Sequence, residues 1–418
     1  MPHPRRCWPL FVTCLALAAA AGGLVQEAFA AWPQYRGPNR DGISPEKGLL
    51  RSWPDGGLKA VWRRPIGAGF SGVVAVGDRL YTMHADPNQE LAACLKSATG
   101  ETVWETPMGP RFVEEFGDGP RATPVVDGDL LFALSSRGKL LALRTADGSK
   151  AWEVDLVATF GGRVPMRGFG STPLVAGDLV IIEGGGSQGK AFQALDRKTG
   201  ETRWTSQDGG AGYSSGIQVT VANVPQQVFL RTGARTFVAF DRSGKVLWQH
   251  PWPAGAIAMP LFVPPNRFFA SSAEDAGSVL IEVAKEGDAF TPHEVWASRF
   301  MKNHFNSSIL VGEHIYGFDN ATLRCMKAST GESVWVQRGF GKGSLIAADG
   351  LLFILGDQGT LAVAEASPAG YKELGHMQAL NGKSWTAPSL SDGRLYLRNL
   401  EEMVSLDVRG KGAPAGGQ

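Results

Sequence analysis

From residue 59 onward the chain is written in short apolar runs separated by two-residue polar turns. Residues 122–155 show one full unit. ATPVVD alternates, Gly128-Asp129 turns it into LLFAL, Arg137-Gly138 turns again into KLLALR, and Asp147-Gly148 leads to SKAWEVD. Alternation with period two, interrupted by Gly-containing pairs, predicts four strands joined by three hairpin turns. The same grammar returns as VAVGDRLYTM, LVAGDLVIIE, ILVGEHIYGF, IAADGLLFIL and SLSDGRLYLR, and its third turn as ATGETVW, KTGETRW, RSGKVLW and STGESVW.

The last strand of each unit carries a tryptophan: Trp62, Trp104, Trp152, Trp204, Trp248, Trp296 and Trp335, at intervals of 42, 48, 52, 44, 48 and 39 residues. That spacing is the length of one four-stranded propeller blade. YKELGHM supplies one more last strand with Leu374 in place of Trp, so the count is eight. After Leu374 the chain holds only three further strands, ending at 404–408, and the strand around Trp62 has no three before it. The expected fold is therefore all-β: an eight-bladed propeller of four-stranded antiparallel blades at 59–410, closed by N- and C-terminal strands sharing the last blade. Trp ladder positions recur in every unit, so they are read as blade-docking residues and not as cofactor platforms. The irregular stretch lies in blades 3 to 5, where Ser214 to Arg231 loses the Gly-Asp turn and AKEGDAFTP reads as a longer, polar third turn. Residues 31–58, rich in Pro, Gly and Arg, are expected to pack across a face or edge of the propeller, and residues 411–418 to form a flexible tail.

Composition narrows the function. Arg5 and Arg6 precede an apolar run over residues 8–25, and Ala28-Phe29-Ala30 follows. This is the layout of a bacterial Sec-type signal peptide cleaved after Ala30, and it predicts a periplasmic or secreted protein. The run is short and broken by Gly22-Gly23, which argues against a membrane span, and Cys14 stands in the sequence Phe-Val-Thr-Cys, a poor lipidation site. The whole chain carries 41 basic and 40 acidic residues; removing Arg5, Arg6 and Glu27 leaves 39 of each. A neutral chain without basic runs gives no case for nucleic acid, and no later run is long enough to span a bilayer. Cys94 and Cys325 each stand six residues before the glycine that opens a Trp strand. Equivalent places in two blades are too far apart for a disulfide, so both are expected as separate buried thiols.

The repeat [Val/Ala]-x-Gly-Asp-x-[Leu/Val] followed by x-[Thr/Ser]-Gly-Glu-x-x-Trp resembles the pyrroloquinoline-quinone (PQQ)-like β-propeller family, over about residues 59–408. That family includes quinoprotein alcohol dehydrogenases and the BamB propeller of outer-membrane assembly. The opening WPQYRGPNRDGIS at 32–44 is similar to the leader of secreted members. The resemblance implies a ring of eight blades; it implies a quinone only where the site is present. In quinoprotein members carboxylate and amide oxygens hold a cation, and adjacent cysteines cover the cofactor. Adjacent cysteines are missing here.

Function is then confined to loops. The loops entering each first strand should line the mouth of the central channel, and aligning them brings Phe70, Arg121, Gly170, Tyr213, Ile257, Phe305, Lys342 and Trp385 to equivalent places, with Asp118, Arg167, Asp208, His304 and Asn306 nearby. The candidate ligand-binding residues are Arg121, Arg167, Tyr213, His304, Asn306, Lys342 and Trp385. Asp118 is the one weak candidate for a catalytic base, although Gly-Asp-Gly is first a turn. Trp385 falls outside the ladder's register and is either a stacking platform or a packed plug. His304 lacks a second ligand at metal spacing, and Arg121 and Lys342 either bind an anion or are solvated rim charges. Cations and aromatics with few carboxylates suit an acidic or aromatic group better than a hard cation, so no metal is expected. The first reading is a monomeric, non-catalytic binding or scaffold module for a protein or cell-envelope component. The alternative is a PQQ-dependent dehydrogenase, using PQQ with Ca2+ to oxidise an alcohol or sugar at the channel mouth.

Overall fold

The computed structural model describes Met1 and residues 31–273 and 276–410. The proposed leader and the tail at 411–418 fall outside those residues, apart from Met1. Strands form eight sheets, one per blade: 74–110, 125–155, 174–206, 217–251, 261–298, 309–337, 344–378, and a last one made of 389–407 with Ala60–Pro65. Within each blade the strands pair in chain order from an inner strand at the channel to an outer one. In the last blade Trp62 stands opposite Ser405 and Arg63 opposite Val404, so the first long strand closes the ring. Closure leaves each blade only short, protected edges.

The outer-strand tryptophans account for how the blades dock. The indole N–H groups of Trp62, Trp104, Trp152, Trp204, Trp296 and Trp335 donate at 2.9–3.0 Å to the carbonyls of Ser97, Thr145, Arg197, Arg242, Ala328 and Ser367. Each acceptor lies in the third turn of the following blade. For the first five of these the glycine of that turn lies against the ring; at Gly148, with φ +72°, an added Cβ would sit 2.6 Å from the Trp104 ring. Thr-Gly-Glu-x-x-Trp is thus one contact read twice: the glycine receives the previous blade's indole, and the tryptophan reaches the next blade.

Trp248 departs from this pattern and donates to Gln226 Oε1 of its own blade at 2.7 Å. The cause lies in blade 5. AKEGDAFTP, expected as a longer turn, is instead mostly ladder: Gly277–Glu286 pairs with Ala289–Ser298, Ala284 opposite Thr291 and Glu286 opposite Ala289. Only Gly287 and Asp288 turn, so the carbonyl that Trp248 would use is displaced, and Phe290 of this long hairpin packs into the core with Trp248 and Trp252. The only α-helix among the described residues is Leu156–Phe160, capped by the Asp155 side chain accepting from the Ala158 N–H at 2.9 Å.

Cys94 lies opposite Trp104 and Cys325 opposite Trp335, equivalent places in two blades. Both are free, buried thiols, and burial pushes each up to about 11.

The third turn of blade 3 contains a titratable lock. Asp196 accepts from the Lys198 and Thr199 N–H groups at 2.9 Å and from Arg203 at 2.6 Å. The Arg203 guanidinium, together with those N–H groups, holds its carboxyl down at about 2, against 3.8 ordinarily. A carboxyl depressed on folding adds stability above its ordinary value and loses it as pH falls through the folded one. Asp196→Asn should therefore be less stable than the parent at pH 5, with the gap closing between about pH 4 and pH 2; urea unfolding midpoints measured against pH check this.

Residues 32–44 occupy the channel itself. Trp32 and Ala75 exchange two backbone hydrogen bonds at 2.8 and 3.0 Å, and Val126 N–H donates to Pro33 O at 2.8 Å. Ile43–Ser44 then runs parallel to the inner strand of blade 7, opposite Ala347 and Ala348. Between these anchors Arg36 donates to the carbonyls of Ser307 and Ser308 in blade 6 at 2.9 and 2.7 Å, and Arg40 to those of Thr172 and Pro173 in blade 3 at 3.2 and 2.9 Å. Both guanidiniums are buried, and burial lowers both, Arg40 to about 9. Buried carbonyls need donors, and two arginines supply them from inside the ring. Beyond this plug, Leu50 N–H donates to Val408 O at 2.8 Å, which leads the chain out under blade 8 toward its outer strand.

Candidate functional site at the channel mouth

Above the plug, the loops that enter the inner strands surround a cavity of about 340 Å³. A belt of hydroxyls sets its lower wall. Gly72 N–H donates to Thr123 Oγ1, Thr123 N–H to Thr172 Oγ1, and Thr172 N–H to Ser215 Oγ, at 2.8–3.2 Å. Each bond joins one blade to the next, so Thr123, Thr172 and Ser215, each two places after a mouth position, fix these loops around the axis. Tyr35 of the plug also lines the cavity from below, and burial raises its phenol.

Aromatic rings make one wall. Trp385 stacks between Phe305, centroids 4.6 Å apart and 26° from parallel, and Phe70, at 5.6 Å and 22°. Phe116 leans on the same indole at 5.9 Å. Trp385 is thereby half-buried within a stack and lines the cavity.

The charged wall is compensated. Arg121 donates to Glu114 Oε2 at 3.0 Å and to the carbonyls of Gly117 and Gly119 at 2.8 and 2.6 Å, while Arg167 pairs with the other oxygen of Glu114. The Glu114 side chain is buried under both guanidiniums. Arg121 lies over Phe70 and Arg167 over Phe116, with Arg167 4.3 Å from the ring centroid. These two cations organise the wall; neither is left bare for an anion.

Of the residues singled out from sequence, Arg121, Arg167, Tyr213, His304, Asn306 and Trp385 line this one cavity. Tyr213 OH accepts from the Arg167 N–H at 3.2 Å, Asn306 donates to Gly343 O at 3.3 Å, and the His304 ring stands edge-on to Phe305. Lys342 is not among the lining residues; its backbone N–H donates to Asp357 at 3.0 Å. Asp118 also lies outside the lining and is a turn residue: it accepts from Arg111 at 2.6 and 3.0 Å and from Glu114 N–H at 3.0 Å. Burial pulls it upward, but the Glu114 N–H and the Arg111 guanidinium outweigh this and hold it below its usual range. Tyr35, Glu114, Phe116 and Lys383 escaped the sequence reading. Only the Glu114-Glu115 pair, lodged in an unusually long entry loop, offered a signal.

A calcium-held quinone requires several oxygen ligands and a carboxylate free to take a proton. Here the one carboxylate lining the cavity has both oxygens bound by arginine. Among the described residues no three His, Cys, Asp or Glu side chains are grouped to hold a metal ion. The donor set does not fit that cofactor. No helix of the described residues is long and apolar enough to cross a membrane.

Comparison with known proteins agrees with the ring and its repeats. A model of the family described as "Outer membrane protein assembly factor BamB" matches residues 87–337. The curated BamB of Moranella endobia is 30% identical over 187 residues, 43% of this chain and 43% of that protein. Among solved structures, BamB from Moraxella catarrhalis is similar with a TM-score of 0.60 at 15% identity, covering 86% of this chain and 99% of that one. Quinohemoprotein alcohol dehydrogenase from Comamonas testosteroni gives 0.62 at 13%, covering 93% and 82%. At these identities the structural likenesses establish the fold alone.

Proposed function

Because the chain belongs to the family of the outer membrane protein assembly factor BamB, we propose that it is a non-catalytic binding or scaffold propeller. It acts in the periplasm or outside the cell and holds a protein or envelope ligand at the channel mouth. The observation that carries this reading is the pairing of Arg121 and Arg167 with Glu114 above a channel filled by residues 32–44. A catalytic mouth keeps a base or an electrophile available; this one uses its charges to fix its own walls and leaves an apolar concavity suited to binding.

Photo-cross-linking tests the reading in the native cell. A benzophenone side chain at Ile257, on the cavity wall and partly exposed, should give one discrete adduct with an envelope component. The same group at Val336, on the outer edge of blade 6, should give none. Absence of any adduct from Ile257 would remove the support for a mouth-binding function.

A further inference from the structure

The mouth does not end at the cavity. Met166 is 79% exposed and Val113 72%, joined by Phe116, Val164 and Ile257, all partly exposed. These residues come from three entry loops, two of them locked together where Arg167 lies over Phe116 and pairs with Glu114 and Glu115. Large apolar side chains left exposed on these entry loops mark an interaction surface, and the cavity that Phe116 and Ile257 line has the volume of a small ligand site.

Charge chooses the partner. In the same loops Glu114 and Asp118 are committed to Arg121, Arg167 and Arg111. The side chains of Arg163, Arg338 and Lys342 have no ion-pair or hydrogen-bond partner among the described residues, while Lys383 donates to the Phe116 carbonyl at 2.6 Å and lies 4.6 Å above the Trp385 ring. Against them stand Glu115, which shares Arg167, Asp208, which accepts from the Gly189 N–H, and Asp357, which accepts from the Lys342 N–H. The rim is therefore basic around an aromatic hollow, although the chain as a whole is neutral.

We propose that the mouth docks an acidic segment of another polypeptide, which inserts one aromatic side chain into the cavity beside Phe305 and Trp385 and lays its apolar neighbours over Val113, Val164 and Met166. This rests on the binding reading and names its partner. A small aromatic acid would fill the cavity but leave the rim uncovered; a polypeptide covers both. The aromatic anchor supplies most of the affinity, as a buried ring in a pocket does, and the acidic flanks set orientation and association rate.

Fluorescence anisotropy with the full protein tests it. The probe is a fluorescein-labelled nonapeptide with one phenylalanine flanked on each side by two aspartates. Saturable binding is expected, weakened about tenfold or more when alanine replaces the phenylalanine or lysine the aspartates, and by a similar factor in Met166→Asp and in Arg163→Glu. Both substitutions are at exposed positions, and an unchanged thermal midpoint shows that the fold survives them. Equal binding of the lysine or alanine peptide, indifference to both rim substitutions, or no binding of the acidic aromatic peptide would each overturn the inference. If that happens while Ile257 still yields an adduct, the binding function stands and only the partner's chemistry is wrong; if the adduct is missing too, both fall.

Discussion

A chain that begins at Pro45, without the channel segment, should lose about 5 kcal/mol of unfolding free energy or more, the largest effect expected from any small change to this protein. Trp32 is 2% exposed and packs with the inner strands of blades 1, 7 and 8. Removing a fully buried tryptophan by itself costs about 3–5 kcal/mol. Four buried carbonyls, those of Thr172, Pro173, Ser307 and Ser308, would also lose their guanidinium donors, and each buried acceptor left without a donor costs about 1–3 kcal/mol unless water replaces it. Water can enter an emptied channel, so the carbonyl share is partly recovered and the tryptophan share is not. Urea titration of the two chains measures the difference. A loss below about 1 kcal/mol would mean that the ring is stable around an open channel.

Trp104→Ala is expected to cost about 3–5 kcal/mol, whereas Val103→Ala next to it, at a 37% exposed position, should change stability by less than about 0.5 kcal/mol. The contrast separates docking from strand propensity, because both residues lie on the same outer strand. Trp104→Phe refines it. Phenylalanine keeps most of the ring's contact with Gly148 but cannot donate to Thr145 O, a bond of 3.0 Å. Its cost should be nearer 1–2 kcal/mol: one net hydrogen bond of about 1 kcal/mol plus a small loss of buried area. Equal losses for Trp104→Ala and Val103→Ala would contradict the ladder. Denaturant midpoints of the three variants decide it.

The ring was legible because a propeller repeats its instructions. Gly-Asp and Thr-Gly turns, period-two alternation and a tryptophan in seven of the eight last strands recur, and a position that must dock a blade has to recur with it. The shared last blade followed from arithmetic on strands, and Trp62 opposite Ser405 agrees with it. The mouth was legible for the same reason: once blades are in register, residues such as Arg121, Tyr213 and Trp385 must meet at one end of the axis.

What escaped was aperiodic. WPQYRGPNRDGIS has no strand pattern, because it is held by backbone pairing to blade 1 at one end and blade 7 at the other and by two arginines that satisfy carbonyls, neither of which leaves a local signature. The compensation of Arg121 and Arg167 by Glu114 depends on how two entry loops fold over each other. Lys342 and Asp118 hold equivalent or neighbouring places in sequence, yet neither lines the cavity: Asp118 is held by Arg111, and Lys342 stands on the rim with its backbone N–H bound to Asp357. In blade 5 the polar stretch read as a turn is ladder: its tip is polar and exposed, and only Phe290 of that stretch turns into the core, too little apolar alternation to mark a strand.

Gel filtration after incubation with PQQ and calcium tests most directly whether the mouth is a binding surface with its charges already spent on its own walls. The expected result is no quinone absorbance travelling with the protein and no dye reduction on adding ethanol or glucose. Quinone that stays bound and turns over either substrate would contradict it.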